Sequence, residues 1–257
     1  VVKKIRTILR TQYAIKKIKV GHAGTLDPLA TGLLILCVGK MTKNIYKFQE
    51  LEKEYYGCMK LGSSTPSYDL ETEIDNVYCY KHITKEMIYQ KTKNFCGKIL
   101  QSPPIYSALK KNGVRLYEKA RKGEKIKIEP RKVEVFKFEI TKIEFPNVYF
   151  NITCSKGTYI RSIANDFGKS LNSGAHLTEL CRRRIGNYNL NNAININTVK
   201  NIELINQWTI WFFISYIWLL FEFNFTMIKR KLSQFNFDLP NELLADRPTK
   251  NRDESKL

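Results

Sequence analysis

Residues 21–32, GHAGTLDPLATG, set His22, Asp27 and Pro28 among small turn-forming residues and lead straight into the apolar run LLILCVG. A proline pushes the preceding residue away from helical backbone, so Asp27 is expected on an extended, stiff loop. Two chemistries fit it. The carboxylate can accept from nearby backbone N–H groups and cap the segment after Pro28, or it can stand at a sheet edge as a catalytic group. His22 on its own is equally open. Arg161, in CSKGTYIRSIANDFG, falls in the first turn of a helix that follows a strand and an SKGT turn. An arginine there can meet a carboxylate from a neighbouring loop and keep it ionised and oriented; its alternatives are a phosphate contact or a plain surface charge. Tyr55, in KEYY, opens a strand and can stack on a base or fill the core. No second carboxylate lies at a spacing that pairs with Asp27 for acid–base hydrolysis.

Residues 103–132, PPIYSALKKNGVRLYEKARKGEKIKIEPRK, interleave Tyr106 and Tyr117 with ten Lys/Arg, Lys110 among them. Aromatic faces mixed with cations suit RNA, where bases stack and phosphates pair; a solvated basic helix is the competing reading. The formal charge of the 257-residue chain is +19. Residues 201–257 carry seven Lys/Arg and seven Asp/Glu, so the whole excess belongs to residues 1–200. A basic surface of that size attracts polyanions by counterion release, which puts nucleic acid first among partner classes. The six cysteines form no C-x-x-C pair, and with three scattered histidines they offer no metal-ligand spacing. Cys37 and Cys154 sit in apolar runs and read as small core residues. The pattern fits a reduced, cytoplasmic protein without a disulfide frame.

These residues need elements to hold them. A basic helix is expected over residues 1–18 with Ile5, Ile8 and Leu9 on one face. A strand is expected from Leu33 to Val38, another over 54–62 running into the turn-rich GSSTPSYD, and a helix over 84–95. IKIEPRKVEVFKFEITKIEF reads as two strand-like stretches around Pro130. NVYFNITCSKG alternates, placing Val148, Phe150, Ile152 and Cys154 on one face. The period then turns helical, with Ile160, Ile163, Ala164, Phe167 and Leu171 on one stripe. Strands dominate without a βαβ repeat, which predicts an α+β domain on a mixed, largely antiparallel sheet with flanking helices. From about Asn187 an Asn-rich stretch reads as a connector. The tail after it holds all three Trp, in an apolar segment at 208–225. Its charge-free run, Trp208 to Phe221, is 14 residues, shorter than the ~20 a membrane span needs, so a buried or interfacial segment is expected. A membrane-associated protein and an RNA-binding, RNA-folding protein without turnover are the alternatives from other classes.

Taken in order, GHAGTLDPLATGLLILCVGKMTK, KEYY, PPIYSALKKNGVRLYEKARKG, CSKGTYIRSIANDFG and SGAHLTEL resemble the TruB family of tRNA pseudouridine-55 synthases over about residues 1–190. The resemblance implies a pseudouridine synthase fold over 1–199, acting as a monomer on the T-arm of tRNA, with chemistry that needs no metal and no cofactor. It makes Asp27 the nucleophile and Arg161 its ion-pair partner. Tyr55 would stack on the target base and help remove the C5 proton. His22, Tyr159, Leu180, Tyr106 and Lys110 would bind substrate, the last two from a flexible thumb. Three features depart from the family. The K-P-x-G-x-[ST]-S stretch that normally precedes the first helix, as part of the central sheet, is not found ahead of it. Cys181 stands where Arg is common. Residues 200–257 match neither the family's short ending nor its PUA domain, and a foreign or out-of-frame extension is expected there.

Overall fold

The computed structural model describes residues 1–111, 113–121, 128–200 and 202, with the backbone of 213–214 and 217–218. The chain divides into a compact unit, Val1–Leu220, and a second, Phe221–Leu257, which lies outside the described residues. The Trp-rich segment at 208–225 falls outside them too, apart from those four backbone positions.

In chain order, α1 (Val2–Tyr13) leads to β1 (Val20–His22), β2 (Thr31–Gly32), β3 (Leu36–Val38), α2 (Ile45–Glu50) and β4 (Lys53–Leu61). A short pair, β5 (Ser63–Ser64) and β6 (Asn76–Val77), precedes α3 (Lys85–Lys93) and β7 (Gly97–Gln101). The thumb segment holds β8 (Lys110–Lys111), β9 (Val114–Arg115) and α4 (Leu116–Arg121). Then come β10 (Arg131–Glu144), β11 (Asn147–Cys154), α5 (Ile160–Ser170), β12 (Ala175–Ile185), β13 (Tyr188–Asn189) and β14 (Ala193–Ile194).

The central sheet runs β13-β12-β4-β11-β10-β7, antiparallel throughout, with β2 joined in parallel to β12. This is the mixed, largely antiparallel α+β architecture that the alternation of the strands predicts. The core lies between one sheet face and the helices α3 and α5. Val148, Phe150, Ile152 and Cys154 bury from β11 against Ile160, Ile163, Ala164, Phe167 and Leu171. Phe138, Phe150 and Phe167 meet at ring centroid distances of 5.6 and 5.8 Å, the close aromatic packing that makes such cores costly to perforate. The other face carries an exposed ladder, with the Arg183 guanidinium 4.3 Å above the Tyr56 ring and Tyr56 stacked on Tyr149.

Three local expectations change. The apolar run 33–38 is a strand only over Leu36–Val38. Its first part follows Gly32, at φ 106, and Leu33 still donates its N–H to the Arg182 carbonyl at 2.7 Å, so the run starts tied to β12 and pairs with β1 only from Leu36 on. Every residue of the run is still apolar because both sides are covered. Leu34, Leu36 and Val38 face α1, while Leu33, Ile35 and Cys37 face Phe48 and Ile185. Of the two strand-like stretches around Pro130, the second is a long strand that starts after the proline, at Arg131, since proline cannot donate to the ladder. Residues 126–127 of the first lie outside the described residues. The Asn-rich stretch is more than a connector: Tyr188, Leu190, Ala193 and Ile196 pack on the core, and the residues just past it pack as well. Val199 and Ile202 are buried against Ile5 and Leu9 of α1, and the Gln12 amide and Tyr13 hydroxyl donate to the Ile202 carbonyl.

Candidate active site

Asp27 rides on the loop between β1 and β2, closed by a turn in which Ala30 N donates to the Asp27 carbonyl at 3.0 Å. Arg161 reaches it from the first turn of α5. Nε donates to Oδ2 at 3.0 Å and Nη2 to Oδ1 at 2.7 Å, a bidentate pair whose geometry both fixes and charges the carboxylate. The guanidinium is buried and serves further acceptors: Nη1 donates to the Ser67 carbonyl at 3.1 Å and lies 3.5 Å from Asp69 Oδ2, while Nη2 also donates to the Tyr106 carbonyl at 2.9 Å. Burial raises Asp27 above the ordinary carboxylate value, and the charge and hydrogen bonds of Arg161 oppose the rise.

The loop that supplies Asp69 is wound tightly. Thr65 and Ser67 hydroxyls donate to the Asp69 carbonyl at 2.7 and 3.2 Å, and Glu71 N donates to Asp69 Oδ1 at 2.9 Å. Between them Tyr68 sits at φ 64, a left-handed conformation that a side chain bears at a cost of about 1–3 kcal/mol and that clusters at functional sites.

Asp27, Tyr55, Tyr106, Tyr159, Arg161 and Leu180 all line one cavity of about 870 Å³, a size that accommodates a nucleotide. Tyr55 enters from β4, and burial pushes its phenol up while the neighbouring Arg182 pulls it down. Tyr159 caps α5; its backbone N–H and carbonyl are both bonded to the Gln101 side chain, at 2.8 and 3.0 Å. Burial raises the Tyr159 phenol as well. The thumb closes one side, where Arg115 and Arg121 flank the Tyr117 ring at 5.8 and 5.5 Å and Arg121 pairs with Glu71 at 3.1 Å. Arg131, Lys132 and Lys156 add further cations to the wall.

The other named residues lie elsewhere. His22 ends β1, next to Ala23 of the cavity wall, and is not in the lining; its Nδ1 is buried without a hydrogen-bond partner among the described residues. Lys110 has its backbone in β8, and its side chain lies outside the described residues. Cys181 is half-buried on β12, with Tyr56 and Thr31 as strand partners. Three lining or supporting residues escape a reading of the sequence: Asp69, Arg182 and Lys53. Lys53 donates its ammonium to the Gln49 and Leu51 carbonyls at the end of α2, and burial, then Arg182, lowers it to about 8. The turn cluster TPSYD marks a place where Asp69 could have been sought. Arg182 is hidden inside a run of three arginines.

Among the described residues no group of His, Cys, Asp and Glu could hold a metal ion, and no helix is long and apolar enough to cross a membrane. The family model for "TruB family pseudouridylate synthase (N terminal domain)" matches residues 7–160. The tRNA pseudouridine synthase B of Flavobacterium johnsoniae is 56% identical over 196 residues, 76% of this chain and 86% of that protein. That of Phocaeicola vulgatus is 47% identical over 198 residues, 77% of this chain and 84% of its own. Among solved structures, a chain of a Cbf5-Nop10-Gar1 complex aligns with a TM-score of 0.52 at 28% identity, over 72% of this chain and 45% of that one. An H/ACA RNP bound to a substrate RNA containing 2'-deoxyuridine aligns with a TM-score of 0.50 at 25% identity, over 73% of this chain and 44% of that one. With its motifs and fold both matched, the chain belongs to the TruB family of pseudouridylate synthases.

Proposed function

We propose that the chain isomerises a uridine of tRNA, at position 55 in the T-arm, to pseudouridine, with Asp27 as covalent catalyst. The observation that carries this reading is the bidentate Asp27–Arg161 pair at the wall of a nucleotide-sized cavity that also holds Tyr55. A uridine inside a folded arm must leave its stack to reach such a cavity. The aromatic side chains of Tyr55, Tyr106 and Tyr159 offer faces for it, and the thumb and wall cations offer contacts to its phosphates.

The isomerisation breaks the N1–C1′ bond, turns the base and joins C5 to C1′. A carboxylate can assist by attack at C1′ or at C6 of the ring, and either route requires Asp27 ionised, which Arg161 favours. After C5–C1′ closure the C5 proton must leave, and Tyr55 is the group read as receiving it. The enzyme is read as a monomer working in the cytoplasm; the free and exposed Cys79 and Cys96 suit a reducing compartment.

Tritium release from C5-labelled uridine in a tRNA transcript tests the reading. The chain is expected to release tritium, while Asp27→Ala releases none and keeps its tRNA affinity within a few-fold. Silence from both, with tRNA still bound, would make the protein an RNA binder without turnover.

A further inference from the structure

Arg182 is 2% exposed, and among the described residues it meets no carboxylate. Buried cations are normally paired, because an isolated charge in a low-dielectric interior is costly. Backbone carbonyls hold this one instead. Nε donates to the Leu33 carbonyl at 2.7 Å, Nη2 to Gly24 at 3.1 Å and Nη1 to Thr25 at 3.5 Å. Gly24 and Thr25 precede Asp27 and Leu33 follows it, so one guanidinium ties both ends of the loop. Its remaining neighbour lies across the ladder. Arg182 on β12 and Tyr55 on β4 are direct strand partners, and the charge of Arg182 acts on the Tyr55 phenol. Both side chains line the cavity.

We propose that Arg182 is a positioning residue for the isomerisation: it locks Tyr55 and the Asp27 loop into one frame and sets a positive charge against the phenol oxygen that takes the C5 proton. This rests on the reading of the chain as a pseudouridine synthase. In the step concerned the C5–H bond breaks and its electron pair forms the C5=C6 double bond. The C6=N1 pair moves to N1, which takes a proton from solvent. The C5 proton goes to Tyr55 Oη, which must be ionised to accept it and later returns the proton to solvent. Burial, Cys154 on β11 and Asp27 on the loop all favour the neutral phenol; Arg182 is the group that favours the ionised one, through its charge. Lys53, two residues before Tyr55 on β4, adds a second cation to the same cavity.

The test is single-turnover tritium release against pH, from about 6 to 10, for the unsubstituted chain, Arg182→Gln and Arg182→Lys. Removing the cation moves the rising limb of the profile to higher pH. The expected result for Arg182→Gln is a loss of about tenfold or more at neutral pH that narrows as pH rises, with tRNA affinity unchanged. Arg182→Lys, which keeps the charge but loses the fork, is expected between the two and carries the test if the glutamine variant does not fold. A loss that is the same at every pH, or a rate equal to that of the unsubstituted chain, overturns this inference alone. No release by the unsubstituted chain overturns the isomerase reading and the inference together.

Discussion

Arg161 holds two carboxylates and two carbonyls at once, and the order of those contacts sets the chemistry of Asp27. The bidentate pair opposes the rise that burial imposes on Asp27. Arg161→Met removes that opposition, so Asp27 should climb further and stay protonated over a wider acid range. The expected outcome is a rate loss of about 100-fold or more at neutral pH and an acidic limb displaced to higher pH, read from a pH–rate profile. Asp27, Tyr55 and Arg161 are visible in the sequence as candidates, since each sits beside a recognisable punctuation: a proline, a strand start, a strand-to-helix turn. That punctuation leaves their roles open, and only the ordered family motifs suggest them. Asp69 and Arg182 are not visible in this way, because their meaning depends on what stands across a loop or a ladder.

The loop that carries Asp27 is fastened to the sheet through β2, and the fastening is tight at Gly32. A Cβ there would stand 2.3 Å from the Arg182 carbonyl oxygen and 2.6 Å from its nitrogen, at a φ of 106 that favours glycine. Gly32→Ala should therefore push β2 off β12, destabilising the fold by about 3 kcal/mol or more and displacing Asp27; urea unfolding and tritium release would check the two effects. Elements with a strong period are readable: α5 from its apolar stripe, β11 from its alternation. The run 33–38 is readable as buried and misleading as a strand, since a segment covered on both sides shows no alternation. Leu33 is tied to Arg182, 149 residues further along the chain, and no local pattern encodes that contact.

The excess charge is a property of the whole first two hundred residues, and it bears on binding more than on catalysis. Affinity for a tRNA transcript should fall at least about tenfold between roughly 50 and 200 mM salt, measured by filter binding, while Asp27→Ala follows the same slope. One strand joins the parts of the molecule that this charge surrounds: β12 pairs with β4, β2 and β13. It also carries three consecutive arginines with separate occupations. Arg182 points into the cavity, Arg183 lies on the Tyr56 ring, and Arg184 pairs with Glu52 and Glu54 at 2.6 and 2.9 Å. In a regular strand Arg182 and Arg184 would share a face; an irregularity in the pairing between them breaks that parity. Three identical letters are thus told apart by a single misstep of the backbone. Deleting any one of them yields the same peptide, Arg-Arg, with one fewer residue to spend on the misstep.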